Sequence, residues 1–124
     1  MRIERELMRG AGPVAVLKLL KDKEMYGYEL VQALEDRSRG VLEMGQSTLY
    51  PMLYNLEAKG LIEAAWQEAD SGRKRKYYRL TDKGARKLAA DTKQWRALAG
   101  AMQARGILGG QETPQPTNLL GALA

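Results

Sequence analysis

Gly45 to Thr81 reads G-Q-S-T-L-Y-P-M-L-Y-N-L-E-A-K-G-L-I-E-A-A-W-Q-E-A-D-S-G-R-K-R-K-Y-Y-R-L-T, and the fold turns on how this stretch is parsed. Leu49, Leu53 and Leu56 recur at spacings of four and three, the stripe of a helix with one buried face. Half a turn round the wheel, Ser47, Pro51, Tyr54 and Ala58 lie opposite the leucines, flanked by Tyr50 and Asn55. Proline is tolerated only close to a helix start, so the helix is expected to begin at Gln46 or Ser47, with Ser47 as its N-cap. Gly60 supplies a left-handed stop. Leu61 to Glu68 then alternates, placing Ile62, Ala64 and Trp66 on one face, and Arg75 to Leu80 can pair back across Asp70-Ser71-Gly72. Trp66 is accordingly expected in the core. Tyr77 and Tyr78 point to opposite faces, so one of them is core as well. A helix with a small polar face, followed by a hairpin tipped with cations, predicts a winged helix-turn-helix: the helix suits a DNA groove and the hairpin reaches phosphates from a second direction.

Upstream, Ile3, Leu7 and Met8 give Met1 to Gly10 a turn or two of amphipathic character, which Gly10, Gly12 and Pro13 are expected to interrupt. Pro13 suits a first helical position, so a helix is predicted from about Pro13 to Asp22, apolar on Val14, Val16, Leu17, Leu19 and Leu20. Met25-Tyr26-Gly27 breaks the pattern, and a supporting helix follows over Tyr28 to Arg39, with Leu30, Val31 and Leu34 inward and Gly40 at its end. Downstream, Thr81 caps a last helix in which Ala85, Leu88, Thr92, Trp95, Ala99 and Met102 alternate at spacings of three and four. That stripe is narrow, like the seam of a coiled coil, and predicts a partner helix rather than a monomer core. The expected fold is mostly α with a small β-hairpin. Residues 1–81 form the winged helix-turn-helix, 82–105 a long C-terminal dimerisation helix, and 106–124, rich in Gly and Pro, a flexible tail.

Composition narrows the function classes. The 124 residues suffice for one small domain, and the formal charge of +5 is too modest to point to nucleic acid unless the cations cluster. They do, at Arg73, Lys74, Arg75 and Lys76. With no Cys and no His, thiolate nucleophiles, imidazole bases and the usual zinc ligand sets are missing, and no convergent acid-base pair can be placed. The expectation is no enzyme, no metal and no cofactor. No apolar run is long enough to span a bilayer, and M-R-I-E-R-E-L-M-R-G lacks the apolar core of a signal peptide, so the expected compartment is the cytoplasm and no membrane partner is expected.

Three motifs in order, Y-G-Y-E-L at Tyr26 to Leu30, S-T-L-Y-P-M-L-Y-N-L-E-A-K-G-L-I at Ser47 to Ile62 and G-R-K-R-K-Y-Y-R-L-T-D-K-G at Gly72 to Gly84, resemble the PadR family of bacterial transcriptional regulators. The resemblance spans roughly residues 7 to 105 and is closest to the smaller subfamily with a single C-terminal helix. It implies a homodimeric repressor that binds double-stranded DNA at an inverted-repeat promoter operator, with a small planar hydrophobic effector held between the last helices. Gln46-Ser47 stands where many members have proline and glycine, and Asn55 where a basic residue is frequent.

The DNA-contacting set is therefore Gln46, Ser47, Thr48, Tyr50, Pro51, Tyr54 and Asn55 on the helix and Arg73, Lys74, Arg75 and Lys76 on the wing. Each has a plainer reading beside it. Ser47 and Thr48 can simply cap, Tyr50 and Tyr54 can be core edges with wet tips, and the cation run can be a solvated edge that blocks aggregation. The dimer seam is Ala85, Leu88, Thr92, Trp95, Ala99 and Met102, with Trp95 read either as an effector contact or as interface packing. A winged-helix module that holds a protein partner without touching DNA is the alternative function.

Overall fold

The computed structural model describes residues 2–109, so the tail expected over 106–124 lies mostly outside the described residues. The described residues form four helices, α1 (Arg5–Asp22), α2 (Gly27–Arg37), α3 (Gln46–Ala58) and α4 (Asp82–Ala104), and a three-stranded antiparallel sheet of β1 (Met25–Tyr26), β2 (Ile62–Glu68) and β3 (Lys74–Leu80) in the order β1-β3-β2. This is a winged helix, with β2 and β3 as the wing. The described residues up to Asp91, which include the N-terminal part of α4, form one compact unit, and the described residues from Thr92 onward form another.

Two elements differ from the sequence expectation. The helix predicted from Pro13 begins at Arg5 and runs unbroken through Gly10, Gly12 and Pro13, its first turn capped by the Glu4 carboxylate, which accepts from the Glu6 N–H at 3.1 Å. Gly12 marks a close approach rather than a break. It is buried, and a Cβ there would lie 2.6 Å from Met52 Cε on α3 and 3.3 Å from Met44 Cε. Burial of Val16, Leu17, Leu19 and Leu20 holds α1 together across a proline that local propensity disfavours. The second difference is β1, a two-residue strand where only a pattern break was read. Met25 pairs with Tyr78 and Tyr26 with Tyr77, so β3 becomes the central strand.

The expected stripe of α3 is observed, with Leu49, Leu53 and Leu56 all buried in the same apolar cluster as Val16, Leu17 and Leu30. Its N-cap is Gly45, not Ser47: the Gly45 carbonyl accepts from Thr48 and Leu49 at 3.1 and 3.0 Å, and Ser47 already lies within the helix. Gly60, with φ +76, ends the turn after α3 as expected. Strand register fixes the two sheet faces. Ile62, Ala64, Trp66 and Glu68 share one face with Leu80, Tyr78, Lys76 and Lys74, and the core occupies only the Ile62 to Ala64 half of it. Of the tyrosine pair, Tyr78 is the buried member. Among the described residues no polar or charged side chain is buried.

One junction joins α3, both long strands and α4. Thr81 Oγ1 donates to the Gly60 carbonyl at 2.7 Å and accepts from the Gly84 N–H at 2.9 Å, so Thr81 caps α4 as expected while anchoring the end of α3. Its own N–H donates to the Leu61 carbonyl at 3.2 Å. The Cα of Gly84 packs so closely on that carbonyl that a Cβ would collide with it and stand 2.7 Å from Leu80 Cδ1. The obstacle is backbone and cannot swing aside, so Gly84→Ala is expected to cost about 1–3 kcal/mol. Thermal unfolding by circular dichroism should show it as a midpoint lowered by roughly 4–8 °C per kcal/mol; an unchanged midpoint would show that the junction relaxes freely.

Burial also raises the pKa of the Tyr78 phenol above its ordinary value, an effect reduced by the Lys76 ammonium and added to by Glu57 and Tyr50. The folded state resists ionisation of this group, so its contribution is intact below about pH 10 and is lost as pH rises from there through the folded pKa. Tyr78→Phe is expected to flatten the alkaline fall in urea midpoint between about pH 9 and about pH 11. A decline parallel to that of the parent protein would assign the alkaline loss to other groups.

Candidate nucleic-acid interface

The face of α3 turned away from the leucines is open to solvent. Gln46, Ser47, Thr48, Tyr50, Pro51, Tyr54 and Asn55 are all exposed, as the helical wheel requires once Leu49, Leu53 and Leu56 are committed inward. Tyr54 is 72% exposed and Tyr50 42%. The difference has a local cause. The Tyr50 ring lies over Gly27 at the start of α2, where a Cβ would come within 2.8 Å of its Cε1 and Cζ. Glycine in the Y-G-Y motif thus makes room for a ring that braces α3 against α2, while Tyr54, one turn on, stands free.

The helix-to-helix connection is built to hold this orientation. Ser38 caps the end of α2, its Oγ donating to the Leu34 carbonyl at 2.6 Å and accepting from the Leu42 N–H at 2.7 Å. Arg39 and Gly40 follow at φ 56 and 84, and the Gly40 N–H donates back to the Glu35 carbonyl at 2.8 Å. At the start of α2 the Glu29 carboxylate accepts from the Tyr26 N–H at 3.1 Å.

On the wing the four-cation run divides in two. Arg73 and Lys74 are exposed at the tip and make no ion pair among the described residues. Arg75 and Lys76 are partly buried and engaged within the fold. The Arg75 guanidinium sits 4.4 Å from the centroid of the Tyr26 ring, which in turn meets Tyr77 edge-on at 5.4 Å. Lys76 Nζ lies 3.6 Å from a Glu57 carboxylate oxygen on α3 and 5.5 Å from the Tyr78 ring centroid. The hairpin tip itself is closed by Ala69 N–H to the Arg73 carbonyl at 2.7 Å, with Gly72 at φ +85. The surface thus offers an exposed polar helix face beside a wing with two free cations at its end.

Trp66 departs from the expectation that it is core: it is 67% exposed. Alternation placed it correctly on the face of Ile62 and Ala64, but the helical layer ends before β2 does, and its cross-strand partner is Lys76. That pairing was available in the sequence as the register that centres the hairpin on Ser71.

Along α4 the seam residues have different environments. Leu88 is buried in the core of its own unit, Ala85 is exposed and Thr92 is half-buried. In the unit from Thr92 onward, Trp95 is 41% exposed and Ala99 and Met102 are also exposed. Leu98, which the seam reading omitted, is exposed beside them on the helix surface, three residues from Trp95 and four from Met102.

Comparison with known proteins bears on what this surface serves. Residues 16–90 match the model of the transcriptional regulator PadR-like family. A transcriptional regulator of Mycobacterium tuberculosis is 37% identical over 107 residues, covering 86% of this chain and 92% of that one. Among solved structures, a Streptococcus transcriptional regulator superposes with a TM-score of 0.74 at 31% identity, covering 83% of this chain and 99% of its own. A PadR family transcriptional regulator from Eggerthella lenta gives a TM-score of 0.70 at 38% identity, covering 79% and 83%. A match over more than half the chain, together with these relatives and the winged helix, leads to one conclusion: this chain belongs to the PadR-like family of DNA-binding transcriptional regulators.

Proposed function

We propose that the protein is a homodimeric repressor that binds an inverted-repeat operator in its own upstream region and acts in the cytoplasm. The observation that carries this reading is the exposure of the whole polar face of α3 while its leucines are buried. Gln46, Ser47, Thr48, Tyr50, Pro51, Tyr54 and Asn55 enter the major groove, and the N–H groups at the start of α3 favour a phosphate there. Two copies of α3 in one dimer reach successive grooves about one helical turn, ~34–36 Å, apart. The wing contacts flanking phosphates, Arg73 and Lys74 first because they make no ion pair among the described residues, Arg75 and Lys76 by exchanging an internal partner for a phosphate.

Dimerisation belongs to the last helix. Leu88 serves its own unit, so the seam between copies is formed by the exposed Trp95, Leu98, Ala99 and Met102, with the half-buried Thr92 and the exposed Ala85 at its edge. The small Thr92 and Ala99 beside Trp95 leave room for a planar apolar effector stacked on paired indoles, and its binding changes the spacing of the two α3 helices.

The purified protein is expected to shift its upstream duplex as a dimer, with affinity falling steeply as salt rises. In the double variant Arg73→Ala/Lys74→Ala the slope of log K against log salt should shrink by about 1.8, two phosphate contacts at ~0.9 each. Equal retention of upstream and random duplex at low salt would overturn the operator reading; an unchanged slope would remove the wing tip from the interface.

For the effector, a panel of flat aromatic compounds is expected to contain members that quench Trp95 emission and release the duplex together. A panel that does neither would leave Trp95 as dimer packing alone.

A further inference from the structure

We propose that Trp66 is a DNA-contacting residue, packing its indole on the sugar-phosphate ridge that runs between α3 and the wing; this rests on the reading of α3 and the wing as the interface. Trp66 is 67% exposed on a strand whose preceding members of the same face, Ile62 and Ala64, are buried or packed on the core. Register places Trp66 on the sheet face that meets the helices, directly opposite Lys76 and on the same face as Lys74. At about 3.3 Å per residue it stands roughly 13 Å beyond the buried Ile62, past the end of the core. It therefore overhangs on the side of α3 rather than on the outer side, where Tyr26, Arg75 and Tyr77 pack together.

The α3 surface linked to this sheet face has a matching make-up. Tyr54 and Glu57 follow Tyr50 at helical spacings of four and three, and the Glu57 to Lys76 ion pair joins that helix surface to the strand position facing Trp66. A duplex that receives α3 in its major groove and the wing tip alongside must pass one sugar-phosphate ridge through this gap. Deoxyribose offers C–H groups to an aromatic face, and the phosphates on either side meet Lys74 and Arg73.

Nucleic acid suits this indole better than a protein partner does. A protein interface core needs contiguous apolar area, whereas the neighbours of Trp66 on its face are Lys76, Lys74 and Glu68. A single aromatic whose facing strand presents Lys76 and Lys74, with Glu68 beyond it at the end of its own strand, is charged enough to meet a polyanion and apolar enough to meet its sugars. Its contact is with the backbone, so it carries no base information and occurs on any duplex.

That property makes the test independent of the operator. Full-length protein labelled with fluorotryptophan gives two fluorine resonances, and the one lost in Trp66→Phe is assigned to Trp66. On titration with a random-sequence DNA duplex at low salt, the Trp66 resonance is expected to shift and to saturate together with the gel shift. Trp66→Ala should weaken binding of that duplex about tenfold with its salt slope unchanged, since no cation is lost, and Trp66→Phe should recover most of the loss. A thermal midpoint equal to the parent's confirms that the exposed position is not structural. The proposal is overturned if the resonance stays still while the duplex binds, if Trp66→Ala binds as the parent does, or if the resonance moves only on adding a protein partner. Loss of operator preference with a Trp66 shift on random duplex would sink the repressor reading and leave this contact standing; absence of any duplex binding by the parent would sink both.

Discussion

Thr81 fixes the end of α3, the start of β2, the end of β3 and the start of α4 at a single point, through one hydroxyl and one N–H. The surface of α3 is useful only if its attitude to the wing is fixed, and both leave this junction. Lys83 adds a bond from its Nζ to the Lys59 carbonyl at 2.8 Å, satisfying a second acceptor at the exposed helix end. None of these bonds is strong alone, at about 0.5–1.5 kcal/mol net. Their effect comes from the absent Cβ of Gly84, which lets α4 sit against the Leu61 carbonyl and closes the hydrogen-bond geometry.

From this point the two faces of α3 follow. Leu49, Leu53 and Leu56 are held from behind by α1 and α2, and Tyr50 is held from the side by the bare backbone of Gly27. Close approaches at Gly12, Gly27 and Gly84 therefore bring the other elements against α3 and its junctions with no polar or charged side chain buried among the described residues. The arrangement is economical for a small core, because apolar contact supplies the cohesion and leaves the polar side chains free on the surface.

How much of this was legible in the chain depends on how local the signal was. The leucine stripe of α3, the stop at Gly60, the cap at Thr81 and the burial of one member of the Tyr77-Tyr78 pair, though not which one, all follow from patterns within a few residues. Those expectations match the structure. The unbroken α1 was not legible, since the helix is sustained through Gly12 and Pro13 by Met52 and Met44, about forty and thirty residues away. Strand β1 depends on Tyr77 and Tyr78 in the same way. Ser47 looked like a cap because serine usually is one, yet the backbone turn begins two residues earlier at Gly45. Trp66 was placed on the right face and given the wrong environment, because alternation reports direction and says nothing of where the opposing layer stops.

The cation run shows the same limit in its electrostatics. Counted along the chain, Arg73 to Lys76 are four equal charges; in the fold, two are engaged by neighbours and two make no ion pair among the described residues. The Lys76 to Glu57 pair, with both side chains more than a third exposed, is worth at most about 1 kcal/mol, and the contact of Arg75 with Tyr26 about as much. Neither can fix the wing, whose attitude is set by burial of Ile62 and Tyr78 and by pairing with β1. Weakness is what makes these two contacts compatible with a DNA surface. A strong internal pair would withhold its cation from phosphate, whereas a weak one keeps the side chain extended and gives up little when a phosphate replaces the carboxylate or the ring. Arg73 and Lys74 make no ion pair among the described residues, so in the proposed complex attraction at a distance falls first to the tip, and the inner cations, already held in place beside Tyr26 and Glu57, would lose little further side-chain freedom when a duplex arrives.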